Sequence, residues 1–151
     1  MSSLDRPPSP GFVPMKPRSG FSEHNGPWFE KRDGAVMIRA FRAGANHVNG
    51  LGIVHGGMLM AFADSILARA AVGASGRGAV TMRMTCDFVG PARLGDWVEG
   101  TGELTRATRN LAFVRGRIWT GSHTVLTASG IFSAVRARPE RLAAPGDDRN
   151  G

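Results

Sequence analysis

A single acidic residue, Asp64, lies inside an apolar stretch that runs from Met58 to Leu67. Burying an unpaired carboxylate is costly, so this side chain must be paired, protonated or placed at a wet cleft. Arg69 lies five positions further on, whereas neighbours on a helix face stand three or four positions apart. Asp64 is therefore a candidate for general-base or nucleophilic chemistry. The alternative is a structural carboxylate that a neighbouring strand satisfies.

A second candidate is the pair of glycines in His55-Gly56-Gly57, at the start of the predicted helix that carries Asp64. The first N–H groups of a helix have no intrahelical partner, and the helix dipole is positive there. That environment suits a carbonyl oxygen that gains negative charge during a reaction. Glycine also leaves the backbone open to a substrate. Alone the signal is weak, because glycine pairs begin many helices.

The spacing of these two candidates has a consequence for assembly. Gly56 and Asp64 are eight residues apart, which corresponds to about 12 Å of helix rise and about 80° of rotation. One carbonyl group cannot contact both within a single helix. If both serve one reaction, the site combines the helix start of one chain with the acid of a second copy. The spacing then predicts a dimer with its active sites at the subunit interface.

Hydrophobic periodicity predicts the elements that position these residues. A long helix is predicted from about His55 to Val72, and the segments around it alternate with the two-residue period of strands. The predicted strands are Trp28–Arg32, Ala35–Arg42, Val80–Val89, Trp97–Arg106, Leu111–Thr120 and Thr124–Val135. Short connections between consecutive strands favour an α+β fold, with an antiparallel sheet wrapped around one helix.

The predicted helix has two distinct faces. One face is bulky and is expected to pack against the sheet; it carries Leu59, Phe62, Ile66, Leu67 and Ala70. The face centred on Asp64 carries small residues that permit close approach by a ligand or a second backbone; these are Gly57, Ala61, Ala68 and Ala71. The alternative is that alanine is present there as a good helix former.

Composition limits the class of protein. The chain has 151 residues, enough for one domain. Its net charge is +7, and 17 of its 19 basic residues are arginines, which suit an anionic partner; the alternative is that the positive surface only aids solubility. The 21 glycines predict many turns between short strands. We expect a Pro-rich arm without regular structure over residues 1–20, a folded domain over 21–136 and a tail over 137–151. No signal peptide or membrane span is predicted, so the expected location is the cytoplasm.

Several other chemistries lack their motifs. Cys86 is the only cysteine, which excludes internal disulfides and Cys-rich zinc sites, and we expect a packed thiol there. The four histidines have no metal-ligand spacing, so no metal site is predicted. No G-x-S-x-G motif is present, which argues against a serine hydrolase.

The combination Asn49-x5-His55-Gly56-Gly57-x6-Asp64, followed by the Val80-Thr81 strand and Gly95-Asp96, resembles the PaaI-type hotdog-fold acyl-CoA thioesterases. The resemblance covers about Gly44 to Val135. It implies a curved antiparallel sheet around one long central helix. It also implies a homodimer or a dimer of dimers with active sites between subunits, and no cofactor, since coenzyme A is part of the substrate.

The resemblance also implies a role for each matching residue. Asp64 matches the catalytic acid, as nucleophile or as general base, and Gly56 matches the oxyanion-hole donor. Asn49 matches an amide that positions the thioester or the water, with a turn residue as the alternative. His55 matches the histidine before the donor and is expected to shape the loop. Thr81 matches a hydroxyl near the acid, with a strand former as the alternative.

The resemblance also implies a ligand for the excess of arginines. Coenzyme A carries phosphate groups, which the PaaI-type relatives bind with basic residues and with the backbone at strand ends. The residues expected to bind it are Gly57, Gly90, Pro91, Arg93, Arg106, Arg109 and Asn110. Two other functions remain open. One is a non-catalytic module that binds acyl-CoA. The other is a nucleic-acid-binding domain, which charge alone suggests and no motif supports.

Overall fold

The computed structural model describes residues 6–121 and 123–135. Its elements, in chain order, are β1 (Val13–Pro14), α1 (Gly20–His24), β2 (Trp28–Asp33), β3 (Val36–Arg42), α2 (Gly56–Ser75), β4 (Gly78–Phe88), β5 (Trp97–Ala107), β6 (Leu111–Thr120) and β7 (His123–Val135). The six predicted strands and the long helix are confirmed, with shifts of a few residues at their ends. The predicted tail and the first five residues lie outside the described part of the chain.

All the strands form one antiparallel sheet in the order β1-β2-β3-β5-β6-β7-β4. The helix α2 packs against β4, β5, β6 and β7, so the sheet surrounds it as predicted for the hotdog fold. The helix ends at Gly76, which adopts a left-handed φ of 66° and whose N–H donates to the Val72 carbonyl.

The core lies between α2 and the sheet. Phe62 is fully buried, and its ring contacts Phe41 at 4.8 Å and Trp28 at 5.7 Å between centroids. Leu59, Ile66 and Leu67 of the predicted bulky face are buried as well, and Ala70 is half-buried. Over Gly56–Gly73 the helix has the length and mean hydropathy of a membrane span, 1.2, but here its apolar residues contribute to the core of the domain.

Two expectations about small residues are corrected. Ala71 was expected on the open face beside Asp64 but is buried, because the sheet curls far enough around α2 to cover it. Glycine was expected mainly in turns, yet Gly100 lies inside β5, where an added Cβ would be 2.3 Å from the Ile66 Cδ1 atom. Gly116 in β6 is similarly close to Leu67. These glycines allow the helix to approach the sheet.

The Pro-rich segment was expected to have no regular structure, and that expectation is wrong for Val13 and Pro14. They pair with Phe29 and Glu30 of β2 as an edge strand, a place where the missing N–H of proline is tolerated. Phe12 beside them is buried in a second, smaller core, which it shares with Phe29, Ala40 and Trp97.

Candidate active site

Asp64 lies in the middle of α2 and faces the edge strand β4. The Thr81 hydroxyl donates a hydrogen bond of 2.5 Å to Asp64 Oδ1. Asp64 is half-buried and Thr81 is exposed. A neighbouring strand therefore donates to one oxygen of the carboxylate, as the structural interpretation expected. The side chain still reaches the surface, as a catalytic acid must.

A β-bulge makes this contact possible. The register of β4 against β7 shifts between Thr81 and Arg83, so Met82 has no partner. Thr81 is opposite Phe132, and Cys86 is opposite Ala128; both partners are buried. Directly opposed residues point to the same face of the sheet, so Thr81 and Cys86 both face α2. In a regular strand, residues five positions apart would point to opposite faces. The two-residue alternation of the predicted strand Val80–Val89 places Thr81 and Cys86 on opposite faces of the sheet. That prediction is wrong because Met82 is an extra residue in β4.

The helix start is held by His55, which is the N-cap of α2. Its Nδ1 atom accepts a hydrogen bond of 2.8 Å from the Gly57 N–H, and its own N–H donates to the His47 carbonyl. His55 thus shapes this turn. The Gly57 N–H is occupied, whereas the Gly56 N–H has no acceptor within residues 6–121 and 123–135. Gly56, at the first helical position, therefore has a backbone donor to offer.

The ring of Phe88 lies beside this donor, and sequence reasoning did not single it out. A Cβ atom added to Gly56 would be 3.3 Å from Phe88 Cε1, although the Phe88 side chain is 54% exposed. The bulge in β4 explains this placement, because it sets which β4 residues face the helix. Phe88 therefore forms one wall of the space in front of Gly56.

Asn49 organises the loop before α2. Its Oδ1 atom accepts hydrogen bonds from the Leu51 N–H at 2.9 Å and the Ile53 N–H at 3.4 Å. Its backbone also pairs with Ile53 and Gly52. Asn49 is thus a turn residue, and because Oδ1 faces the loop, its Nδ2 group points away from those two donors.

Within one chain, Gly56 and Asp64 remain separated by about 12 Å along α2, because the helix between them is regular. The sheet edge beside Asp64 is open, since β4 is last in the strand order and pairs with β7 alone among the described strands. Val80 and Met82 on that edge are 50% and 63% exposed. One chain thus holds the two halves of a site without joining them.

The residues expected to bind coenzyme A form two separate groups. Gly90, Pro91 and Arg93 lie near the start of α2, where Arg93 bridges to Ile53. Gly90 is needed for close packing, since an added Cβ would be 3.0 Å from the Thr124 carbonyl oxygen. The Pro91 carbonyl accepts a hydrogen bond from His123.

The second group, Arg106, Arg109 and Asn110, lies at the β5–β6 turn beside the C-terminal end of α2. The Arg109 carbonyl accepts a hydrogen bond from Arg77, and Arg109 and Ala71 line a cavity of about 170 Å³. A helix of 20 residues is about 30 Å long, so this group and Arg93 lie at opposite ends of α2. A single chain does not bring all the predicted residues together.

His47 is a buried polar residue near the site that sequence reasoning treated only as one of four histidines. Its Nδ1 atom accepts from the Gly44 N–H and its Nε2 atom contacts the Asn25 carbonyl at 2.8 Å. Because Nδ1 accepts and Nε2 faces an acceptor, the ring is neutral with its proton on Nε2. Burial is the main cause that lowers the pKa of His47. The ring thereby links α1 to the loop before α2.

Other reactive groups are accounted for. Burial, followed by the charge of Asp87, raises the pKa of the Cys86 thiol, which packs against the core and is not activated as a nucleophile. In the described part of the chain, no three His, Cys, Asp or Glu side chains are grouped as a metal site requires.

One antiparallel sheet around one long helix, with an acid and a glycine turn on that helix, defines an α+β hotdog protein. Solved structures share this fold. The PaaI protein of the Escherichia coli phenylacetic acid degradation operon superposes with a TM-score of 0.69 at 23% identity, over 78% of this chain and 85% of that one. A hypothetical thioesterase of Streptococcus pneumoniae TIGR4, solved with coenzyme A, gives 0.66 at 20% identity, over 74% and 90%.

Sequence comparison identifies the family. Residues 51–127 match the thioesterase superfamily. A Pseudomonas aeruginosa protein, named provisionally as an esterase, is 34% identical over 125 residues, which cover 81% of this chain and 93% of that protein. The chain belongs to the thioesterase superfamily and is a thioester hydrolase, and its predicted resemblance to the PaaI type is confirmed.

Proposed function

We propose that the protein hydrolyses an acyl- or aryl-coenzyme A thioester, and that each site uses Asp64 of one subunit and Gly56 of another. One observation carries the proposal: Thr81 orients a half-exposed Asp64 while Gly56 offers a backbone N–H. A carboxylate oriented on one oxygen keeps the other for water or for a carbonyl carbon. An N–H at a helix start stabilises the negative charge that develops on the carbonyl oxygen.

The proposed reaction needs only water and the thioester. Water adds to the carbonyl carbon and gives a proton to Asp64, while the Gly56 N–H donates to the oxyanion. The C–S bond then breaks, and the proton passes from Asp64 to the coenzyme A thiolate. In the second route, Asp64 attacks the carbonyl carbon first, the C–S bond breaks with release of the coenzyme A thiolate, and an anhydride of Asp64 and the acyl group forms. Water then opens the anhydride, which regenerates the Asp64 carboxylate and supplies the proton that the thiolate takes up. Both routes return a carboxylic acid and free coenzyme A.

The neighbouring residues support this chemistry in different ways. The Asn49 Nδ2 group is a donor whose direction is set by the loop bonds to Oδ1, so we assign it to the thioester or the water. His55 occupies the Gly57 N–H and leaves the Gly56 N–H free at the first helical position. His55 and Gly57 therefore act on the shape of the oxyanion hole and do not transfer protons.

Coenzyme A is proposed as the carrier because the chain supplies arginines near both ends of α2. Because these arginines lie at opposite ends of α2 in one chain, we assign its phosphate groups to Arg93 of one subunit together with Arg106 and Arg109 of another. We assign its pantetheine arm to the strand-end backbone near Gly90, Pro91 and Asn110. The Streptococcus pneumoniae protein of the same fold was solved with coenzyme A, which supports this choice. No further cofactor is needed, and the cytoplasmic location stays a prediction.

A homodimer, or a dimer of dimers, is part of the proposal, because Gly56 and Asp64 must come from different chains. The open edge of β4, with Val80 and Met82 exposed, is the surface we assign to the partner. Exposed strand edges carry unpaired backbone groups that favour pairing with another chain.

The experiment that tests the function is release of free thiol from a panel of acyl- and aryl-coenzyme A thioesters. We expect turnover of at least one class. Coenzyme A binding without turnover of any thioester would contradict the proposal and indicate a binding module. A single turnover in ¹⁸O water then tests the two routes: label in Asp64 indicates an anhydride that water opens at the Asp64 carbonyl, whereas label only in the released acid fits direct attack by water or opening at the acyl carbonyl. Detection of acylated Asp64 by mass separates these last two.

A further inference from the structure

A large cavity lies on the other side of α2 from Thr81. It has a volume of about 1060 Å³ and is formed by strands β2, β3, β5, β6 and β7 together with the C-terminal half of the helix. Its lining combines cations with apolar side chains, among them Arg32, Arg39, Arg69, Met37, Ile66 and Leu104. Its one acidic lining residue, Glu103, forms an ion pair with Arg115 and is therefore already neutralised.

Arg39 is one of these cations and is largely buried, with 15% of its side chain exposed. One Nη atom donates to the Ser65 carbonyl at 2.8 Å. The Nε atom is 3.9 Å from the Glu30 carboxylate, too far for a hydrogen bond, and has no acceptor among the described residues. A buried donor without a partner is costly, so this group has an unmet need for an acceptor.

Arg69 adds a second positive charge. Across residues 6–121 and 123–135, neither Arg69 nor Arg32 forms an ion pair with a carboxylate. Burial lowers the pKa of Arg39, Glu30 opposes that change, and the charges of Arg69 and Arg18 lower the pKa further. Like charges near a buried guanidinium are destabilising unless an anion compensates them.

We propose that this cavity is a second ligand site, which binds a small organic carboxylate with an apolar body. A guanidinium fork matches a carboxylate, and Met37, Ile66 and Leu104 provide apolar surface for the rest of the molecule. The volume is that of a small-molecule pocket. Arg69 follows Asp64 by about 7.5 Å of rise and about 140° of rotation on α2, so the site is separate from the proposed hydrolytic one. The proposal does not depend on hydrolysis.

Isothermal titration calorimetry with the full chain tests the proposal, with octanoate as the probe. We expect octanoate to bind, octan-1-ol to bind at least about tenfold more weakly, and inorganic phosphate to give no comparable heat. R69Q and R32Q should each weaken octanoate binding, R69Q by about tenfold or more. K16Q removes one exposed positive charge outside the cavity and serves as the matched control, with binding unchanged.

Three outcomes would overturn the site. Equal binding of octanoate by R69Q and the parent protein places the ligand elsewhere. Binding of octan-1-ol as tight as that of octanoate shows that the arginines do not recognise the carboxylate. Comparable binding of phosphate makes the site one for inorganic anions. Thermal unfolding of each variant, compared with K16Q, separates lost binding from lost structure, and D64N should bind octanoate normally if the two sites are separate.

Discussion

Thr81 Oγ1 lies 2.5 Å from Asp64 Oδ1, and this hydrogen bond joins the edge strand β4 to the middle of α2. The hydroxyl can donate to the carboxylate only while the carboxylate is an acceptor on that oxygen. The contact therefore fixes Oδ1 and leaves Oδ2, the oxygen that both proposed routes use, for water or for the thioester carbon.

We predict that T81V lowers kcat by about tenfold, because a hydrogen bond to a charged group is lost without a change in side-chain shape. T81S keeps the hydroxyl and should retain most of the activity. Steady-state kinetics with the preferred thioester measure both variants. Equal activity of T81V and T81S would show that the hydroxyl has no role in catalysis and that Thr81 is only a strand former.

The largest loss of activity is predicted for a substitution of Asp64. D64N should reduce hydrolysis by at least about 10²-fold, the scale of losing a general base, while coenzyme A binding changes little. D87N is the matched control, because Asp87 is an exposed acid on the same strand edge as Thr81 and has no assigned role. Hydrolysis by D64N close to that of D87N would remove Asp64 from the mechanism.

The proposed oxyanion hole can be tested by filling the space in front of the Gly56 N–H. G56A places a methyl group at about 3.3 Å from Phe88 Cε1, and we expect it to lower kcat by crowding the donor. F88A removes that ring, so the double variant G56A/F88A should recover part of the loss if crowding is the cause. A double variant that is no better than G56A would show that the methyl group obstructs the substrate directly.

The sequence predicted the main elements of the fold because their hydrophobic periods are strong. It missed β1 and α1, whose signals are short: Ser19 and Ser22 form a capping box, and Pro14 lies at an edge. The Met82 bulge was also missed, since one extra residue leaves no mark in an alternating pattern. Sequence alone indicated Asp64 and Gly56, but not the roles of Phe88 and His47, which depend on contacts between distant elements.

His47 makes stability depend on pH. Its pKa is lowered in the folded protein relative to about 6.5 in the unfolded chain, so the unfolded state binds more protons below neutrality. Stability is full above pH 6.5 and falls as the pH drops from there through the folded pKa. We expect a lower Tm at pH 5.5 than at pH 7.5, with a smaller difference in H47Q. H24Q removes an exposed histidine whose charge is the smallest of the causes that lower the pKa of His47, so it should retain most of the parent difference. An unchanged pH dependence in H47Q would assign the effect to other groups.

The assembly of each site from two chains makes complementation the sharpest test. A mixed dimer of D64N and G56A contains one site that has both Gly56 and Asp64 and one site that lacks both. Random exchange of subunits should therefore give about half mixed dimers, each with one intact site, and so bring the mixture to about a quarter of the parent activity, as expected for two-fold symmetry. The gain is measured against the residual activities of D64N and G56A alone. Unfolding and refolding the variants together, with each alone as a control, provides the measurement. If the mixture stays as inactive as its parts, although mixed dimers are detected by mass, then Gly56 and Asp64 do not act across the interface.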